Sequence, residues 1–89
     1  MSKPLKAHWF LQYVVQQEVV RLAPDLPIIP VVQWDDERIV WDDQCEGLGS
    51  VSWTCNYFIP QDHPARALVP TLNAAIAPLQ ARYDLGLVS

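Results

Sequence analysis

Val32-Gln33-Trp34-Asp35-Asp36 is followed seven residues later by Ile39-Val40-Trp41-Asp42-Asp43, and how these two pentads sit relative to each other decides the fold. Each opens on β-branched and aromatic residues that suit a strand and closes on two aspartates that suit a turn. The pattern predicts a β-hairpin with its turn over residues 35–38, in which Trp34 pairs with Trp41. No Asn-Gly or Asp-Gly pair fixes a two-residue loop there. Pro30 lacks a ladder donor, so the first strand either lies at a sheet edge or begins in earnest at Val31.

Working outward, residues 44–49 carry Gly47 and Gly49 and read as a loop. Residues 50–59 then alternate, with Val51, Trp53, Cys55, Tyr57 and Ile59 on one side and Ser52, Thr54 and Asn56 on the other. That is the pattern of a half-buried strand, with Phe58 as the exception. The same parity puts Val32, Trp34, Ile39 and Trp41 on the buried face. Gln33, Asp35, Asp42, Ser52, Thr54 and Asn56 fall on the other, so the open face is expected to be polar and acidic.

On the N-terminal side, residues 5–23 contain no Gly and are flanked by Pro4 and Pro24, which predicts a helix with Pro4 in its first turn. It carries two apolar stripes: Leu11, Val15 and Val19 lie on one, and Trp9, Tyr13 and Val20 lie roughly opposite. On the C-terminal side, residues 60–64 form a turn. After it Leu68, Leu72, Ile76, Leu79 and Tyr83 recur at helical spacing. Pro70 suits the first turn of that helix, with residues 65–69 as a separate lead-in. Pro78 would kink it, and Gly86 would close it. The order α-β-β-β-α describes an α+β open-faced sandwich, a three-stranded antiparallel sheet with two helices on one face, built by residues 1–89 as a single domain.

The charge is local. Asp35, Asp36, Glu37, Asp42, Asp43 and Glu46, opposed only by Arg38, leave −5 on residues 35–46, whereas the whole chain carries −4. Such a patch argues for a basic partner and against direct nucleic-acid binding, which needs Lys and Arg to neutralise phosphates. The order of elements is similar to that of double-stranded-RNA-binding domains. Those need a basic N-terminus on the second helix, and here His63-Pro64-Ala65-Arg66-Ala67-Leu68 offers one Arg.

No stretch is apolar for the length of a membrane span, and the N-terminus lacks the apolar run of a signal peptide, so a cytoplasmic protein is expected. Cys45 and Cys55 are then reduced thiols, with Cys55 on the buried face. The acidic residues lack the Asp-x-Asp-x-Asp-Gly spacing of a calcium loop, and the Cys and His spacing does not match a zinc site, so no metal or cofactor is assigned. Asp62 and His63 beside a cysteine are the only nucleophile-and-base combination to hand. Nothing in the sequence positions them, and no catalytic residue is assigned.

The expectation is a small acidic protein-protein interaction module, not an enzyme. Asp35, Asp36, Glu37, Asp42, Asp43 and Glu46 would contact a basic surface on another protein, nucleic-acid-binding proteins included. This character is shared by inhibitor, immunity-type and nucleic-acid-mimicking proteins, phage-encoded ones among them. The alternative is a structural or assembly subunit, phage complexes included, that oligomerises through Trp9, Phe10 and Tyr13.

Overall fold

The computed structural model describes residues 3–44 and 47–88. Its strands are β1 (Leu5–Lys6), β2 (Ile29–Trp34), β3 (Val40–Trp41), β4 (Leu48–Val51), β5 (Trp53–Phe58) and β6 (Asp84–Val88), with helices α1 (His8–Leu22) and α2 (Val69–Arg82). Short 3-10 turns occupy Asp36–Arg38 and Pro64–Leu68. The fold is α+β, as the periodicities predict.

The hairpin turns elsewhere than predicted. Both halves of the pentad repeat pair with the same long strand: Trp34 stands opposite Trp53 in β2–β5, and Trp41 stands opposite Gly49 in β3–β4. Trp34 and Trp41 are therefore not partners. The chain reverses after Asp42, whose N–H donates to the Leu48 carbonyl at 2.8 Å, and Gly47 takes a positive φ of 85° there. Residues 35–39 are an excursion within one strand, passing where the facing strand has only Val51 and Ser52. The surplus is three residues, an odd number, so the inward positions change from even (Pro30, Val32, Trp34) to odd (Ile39, Trp41). Charged residues take up this excursion because it projects from the sheet into water.

Pairing along this strand yields a four-stranded sheet in the order β1-β6-β4-β3, continued past Ser52 by the β2–β5 ribbon. The sheet is mixed, since β1 runs parallel to β6 while the other pairs are antiparallel. The predicted three-stranded antiparallel sheet is thus corrected by two short strands at the chain ends. Leu5 and Lys6 pair with β6 and do not begin the helix; Pro4 offers its carbonyl to the Asp84 N–H at 3.1 Å. Gly86 sits within β6 opposite Ser50, where a Cβ would come 3.2 Å from that of Leu5, and so it does not cap the helix.

The alternation of residues 48–59 holds through the junction at Ser52, with Val51, Trp53 and Ile59 buried and Ser52, Thr54, Asn56 and Phe58 exposed. Leu11 and Val15 of α1 and Ile76 of α2 close over Val32, Val51, Trp53 and Leu85. A second cluster joins Val19, Ala23, Ile28, Ile59, Ala65 and Leu72. Trp53 fastens these layers together: its indole N–H donates to the Tyr83 carbonyl at 3.0 Å, and its own carbonyl accepts from Gln80 at 3.1 Å. Pro70 lies in the first turn of α2 and Pro78 within it, as predicted.

The outer edge of β2 is covered by side chains of α1. Gln12 accepts from the Val32 N–H at 3.0 Å and donates to the Pro30 carbonyl, while His8 Nε2 lies 3.2 Å from the Val32 carbonyl. Two polar residues one helical turn apart thereby satisfy an edge that would otherwise pair with another chain. Trp34 and Trp41 face the helix side, as parity requires, but are not core: they remain 36% and 47% exposed. The helices pack on β2, β5 and β6 and leave the hairpin end uncovered. Trp41 lies instead across Gly49, where a Cβ would come within 2.7 Å of its ring.

Two stability predictions come from this packing. Trp53→Ala should cost ~3–5 kcal/mol, the penalty for truncating a buried aromatic, and Trp41→Ala about 1 kcal/mol. Denaturant melts of the two variants check it, and equal losses would mean that the hairpin end is part of the core.

Tyr57 supplies the second. Its hydroxyl is enclosed without a hydrogen-bond partner among the described residues. Burial, reinforced by neighbouring Cys55, pushes its ionisation well above the usual value of 10.0. The unfolded chain then ionises first, so this group leaves stability unchanged below about pH 10 and lowers it as pH rises further. Tyr57→Phe should be neutral or slightly stabilising at pH 7 and should make the alkaline decline shallower. A loss of more than about 1 kcal/mol at pH 7 in urea melts would instead show that the hydroxyl has a partner.

Candidate protein-interaction site

The carboxylates predicted to meet a partner fall into two groups. Asp35, Asp36 and Glu37 form the excursion, and Asp42 and Asp43 stand where the hairpin reverses; all five are exposed. Glu46 and Cys45 lie outside the described residues. Each group is shaped by local hydrogen bonds. Asp35 Oδ1 accepts the Glu37 N–H at 3.0 Å, Asp36 Oδ1 accepts the Trp34 indole N–H at 3.0 Å, and Asp42 Oδ1 accepts the Gln44 N–H at 2.8 Å. Arg38 reaches Asp35 at 3.6 Å in an exposed pair that contributes little to folding. The hydrogen bonds use one oxygen each of Asp35, Asp36 and Asp42, and Arg38 faces the second oxygen of Asp35.

The carboxylates flank the open sheet face and do not cover it, which corrects the expectation of a polar, acidic face. Around Ser50 and Gly86 that face presents Leu5, Val40, Leu48 and Val88, which are 43% to 81% exposed. Ile29 and Phe58, which face each other across β2 and β5, expose 61% and 60% at the far end, beyond Gln33, Thr54 and Asn56. Asn56 donates to the side chain of Gln33 across the strands. Phe58, the exception to the alternation of its strand, was the one sequence signal of this apolar surface. Leu5 and Val88 were invisible because their strands were.

At the hairpin end a cleft of about 500 Å³ opens on this face. Leu5, Val40, Leu48 and Ser50 line it together with Asp42, Asp43, Asp84 and Lys3. Lys3 Nζ stands 3.6 Å from Asp84 Oδ1, an enclosed oxygen without a hydrogen-bond partner among the described residues. Three carboxylates and one ammonium thus share the cleft with apolar side chains.

The alternative surface is divided. Trp9 and Tyr13 are 72% and 60% exposed on α1, and Val20 extends the stripe at 45%. Phe10 is half-buried, edge-on to Tyr83 with ring centroids 5.8 Å apart and Lys6 over its ring at 5.0 Å. It is a packing residue and not a surface one.

Of the groups weighed for catalysis, His63 and Cys55 are engaged in the fold. His63 Nδ1 accepts the Ala65 N–H at 3.0 Å and caps the Pro64–Leu68 turn, so its Nδ1 is a bare acceptor. His8, facing a carbonyl, carries its proton on Nε2. Burial pushes the Cys55 thiol up, away from the thiolate that a nucleophile requires. Among the described residues no three His, Cys, Asp or Glu side chains converge to hold a metal ion. Among the described residues, too, no helix is long and apolar enough to cross a membrane. No protein-family model matches this chain, and no similar curated protein or solved structure was found.

Proposed function

We propose that this chain is a small acidic protein-protein interaction module that docks its hairpin on a basic surface of another protein. It acts as an inhibitor, immunity-type or nucleic-acid-mimicking protein does, by occupying that surface and without a reaction of its own. The observation that carries this reading is the exposure of Asp35, Asp36, Glu37, Asp42 and Asp43 on a hairpin that the helices leave uncovered, in a molecule measuring 48 × 23 × 18 Å. Carboxylates so exposed attract a basic cleft before contact, which raises the rate of encounter. The basic clefts of nucleic-acid-binding proteins are the surfaces it suits best. The cytoplasm is the compartment that keeps Cys55 a reduced thiol.

The second reading, an assembly subunit of a larger complex such as a phage particle, draws on the exposed Trp9-Tyr13-Val20 stripe. Three apolar side chains on one helix face are a contact in search of a cover.

Replacing Asp35, Asp36, Asp42 and Asp43 by Asn separates the two. Stability should hold within about 1 kcal/mol, because solvated charges contribute little. Association with the protein captured from its host should slow, and its dependence on ionic strength should flatten, since such charges act within ~8 Å at physiological salt. An unchanged rate with unchanged salt dependence would move the interface to Trp9 and Tyr13.

A further inference from the structure

We infer that the cleft beside the hairpin end receives a segment of the partner in which an apolar side chain is flanked by lysine or arginine. This rests on the acidic-docking reading and names the site of recognition within it. Leu5, Val40 and Leu48 come from three different strands of the sheet and leave an apolar hollow facing water. Its volume of about 500 Å³ lies within the ~300–1,000 Å³ of pockets that hold a compact ligand.

Charge selects the occupant. Asp42, Asp43 and Asp84 against Lys3 repel a phosphate or a carboxylate and attract a cation. A second copy of this chain would bring Asp42 and Asp43 towards carboxylates of its own kind. A purely basic segment would leave Val40 and Leu48 wet, and a purely apolar one would leave the carboxylates without partners. A basic segment carrying one apolar anchor satisfies both.

The test uses the full chain, labelled with ¹⁵N, and three twelve-residue peptides that alternate Lys with Leu, Lys with Ser, and Glu with Leu. The Lys/Leu peptide should bind about tenfold or more tighter than the Lys/Ser peptide and should shift the amide signals of Leu5, Val40, Leu48 and Ser50. Val40→Ser and Leu48→Ser should each weaken it about tenfold. Both side chains are already exposed, so melting temperatures should stay within about 2 °C of the parent. Equal binding of the Lys/Leu and Lys/Ser peptides, or shifts confined to α1, would overturn the cleft assignment and leave acidic docking standing. Binding of the Glu/Leu peptide as tight as that of Lys/Leu, or no binding of any peptide at millimolar concentration, would overturn both. Concentration-dependent shifts of the same residues without peptide would assign the cleft to a second copy.

Discussion

The pairing of the long strand through β4 and β5 is the constraint on which the rest of this structure depends. Its inward side chains supply Val51, Trp53 and Ile59 to the two buried clusters, and its outward ones lie on the open face. Trp53 lies where β5 begins, and its indole and carbonyl together hold the end of α2 on the sheet. Because α2 is fixed there, the next residues enter β6 directly and cover the other edge of β4. The parallel addition of β1 follows, since Pro4, Leu5 and Lys6 meet an edge already in place.

Much of this was legible in the sequence where a period ran long enough to be heard. The helical stripe through Leu72, Ile76 and Leu79, the strand alternation from Val51 to Ile59 and the separate turn before Pro70 emerge as read, and so does the α+β class, while Leu68 and Tyr83 at the ends of that stripe fall just outside the helix. What failed was register. Two similar pentads invite the conclusion that they face each other, because a turn rich in aspartate is a common way to reverse a chain. A turn of the same composition serves equally well as an excursion from a strand that continues, and local propensity does not separate the two. Only pairing with Trp53 and Gly49 decides, and that information is held by residues far along the chain.

The candidate site was half legible for a related reason. Charge is additive along a sequence, so the acidic cluster could be found by counting. The apolar face could not, because it is assembled from single residues of several strands, two of which are too short to announce themselves. Leu5 reads as the start of a helix and Leu48 as part of a glycine loop until the sheet brings them together. The outcome is a surface in which carboxylates at the excursion and the hairpin end stand beside exposed hydrophobic side chains. In interfaces, such charges steer the encounter while the apolar centre holds the complex.

The register is tested most directly by cross-strand nuclear Overhauser effects in the free protein, since partners across an antiparallel pair bring backbone protons close together. Contacts are expected from Trp34 to Trp53 and from Trp41 to Gly49, with none between the backbones of Trp34 and Trp41. A Trp34–Trp41 backbone contact would restore a hairpin turning at residues 35–38 and contradict the placement of the excursion, the open face and the cleft together.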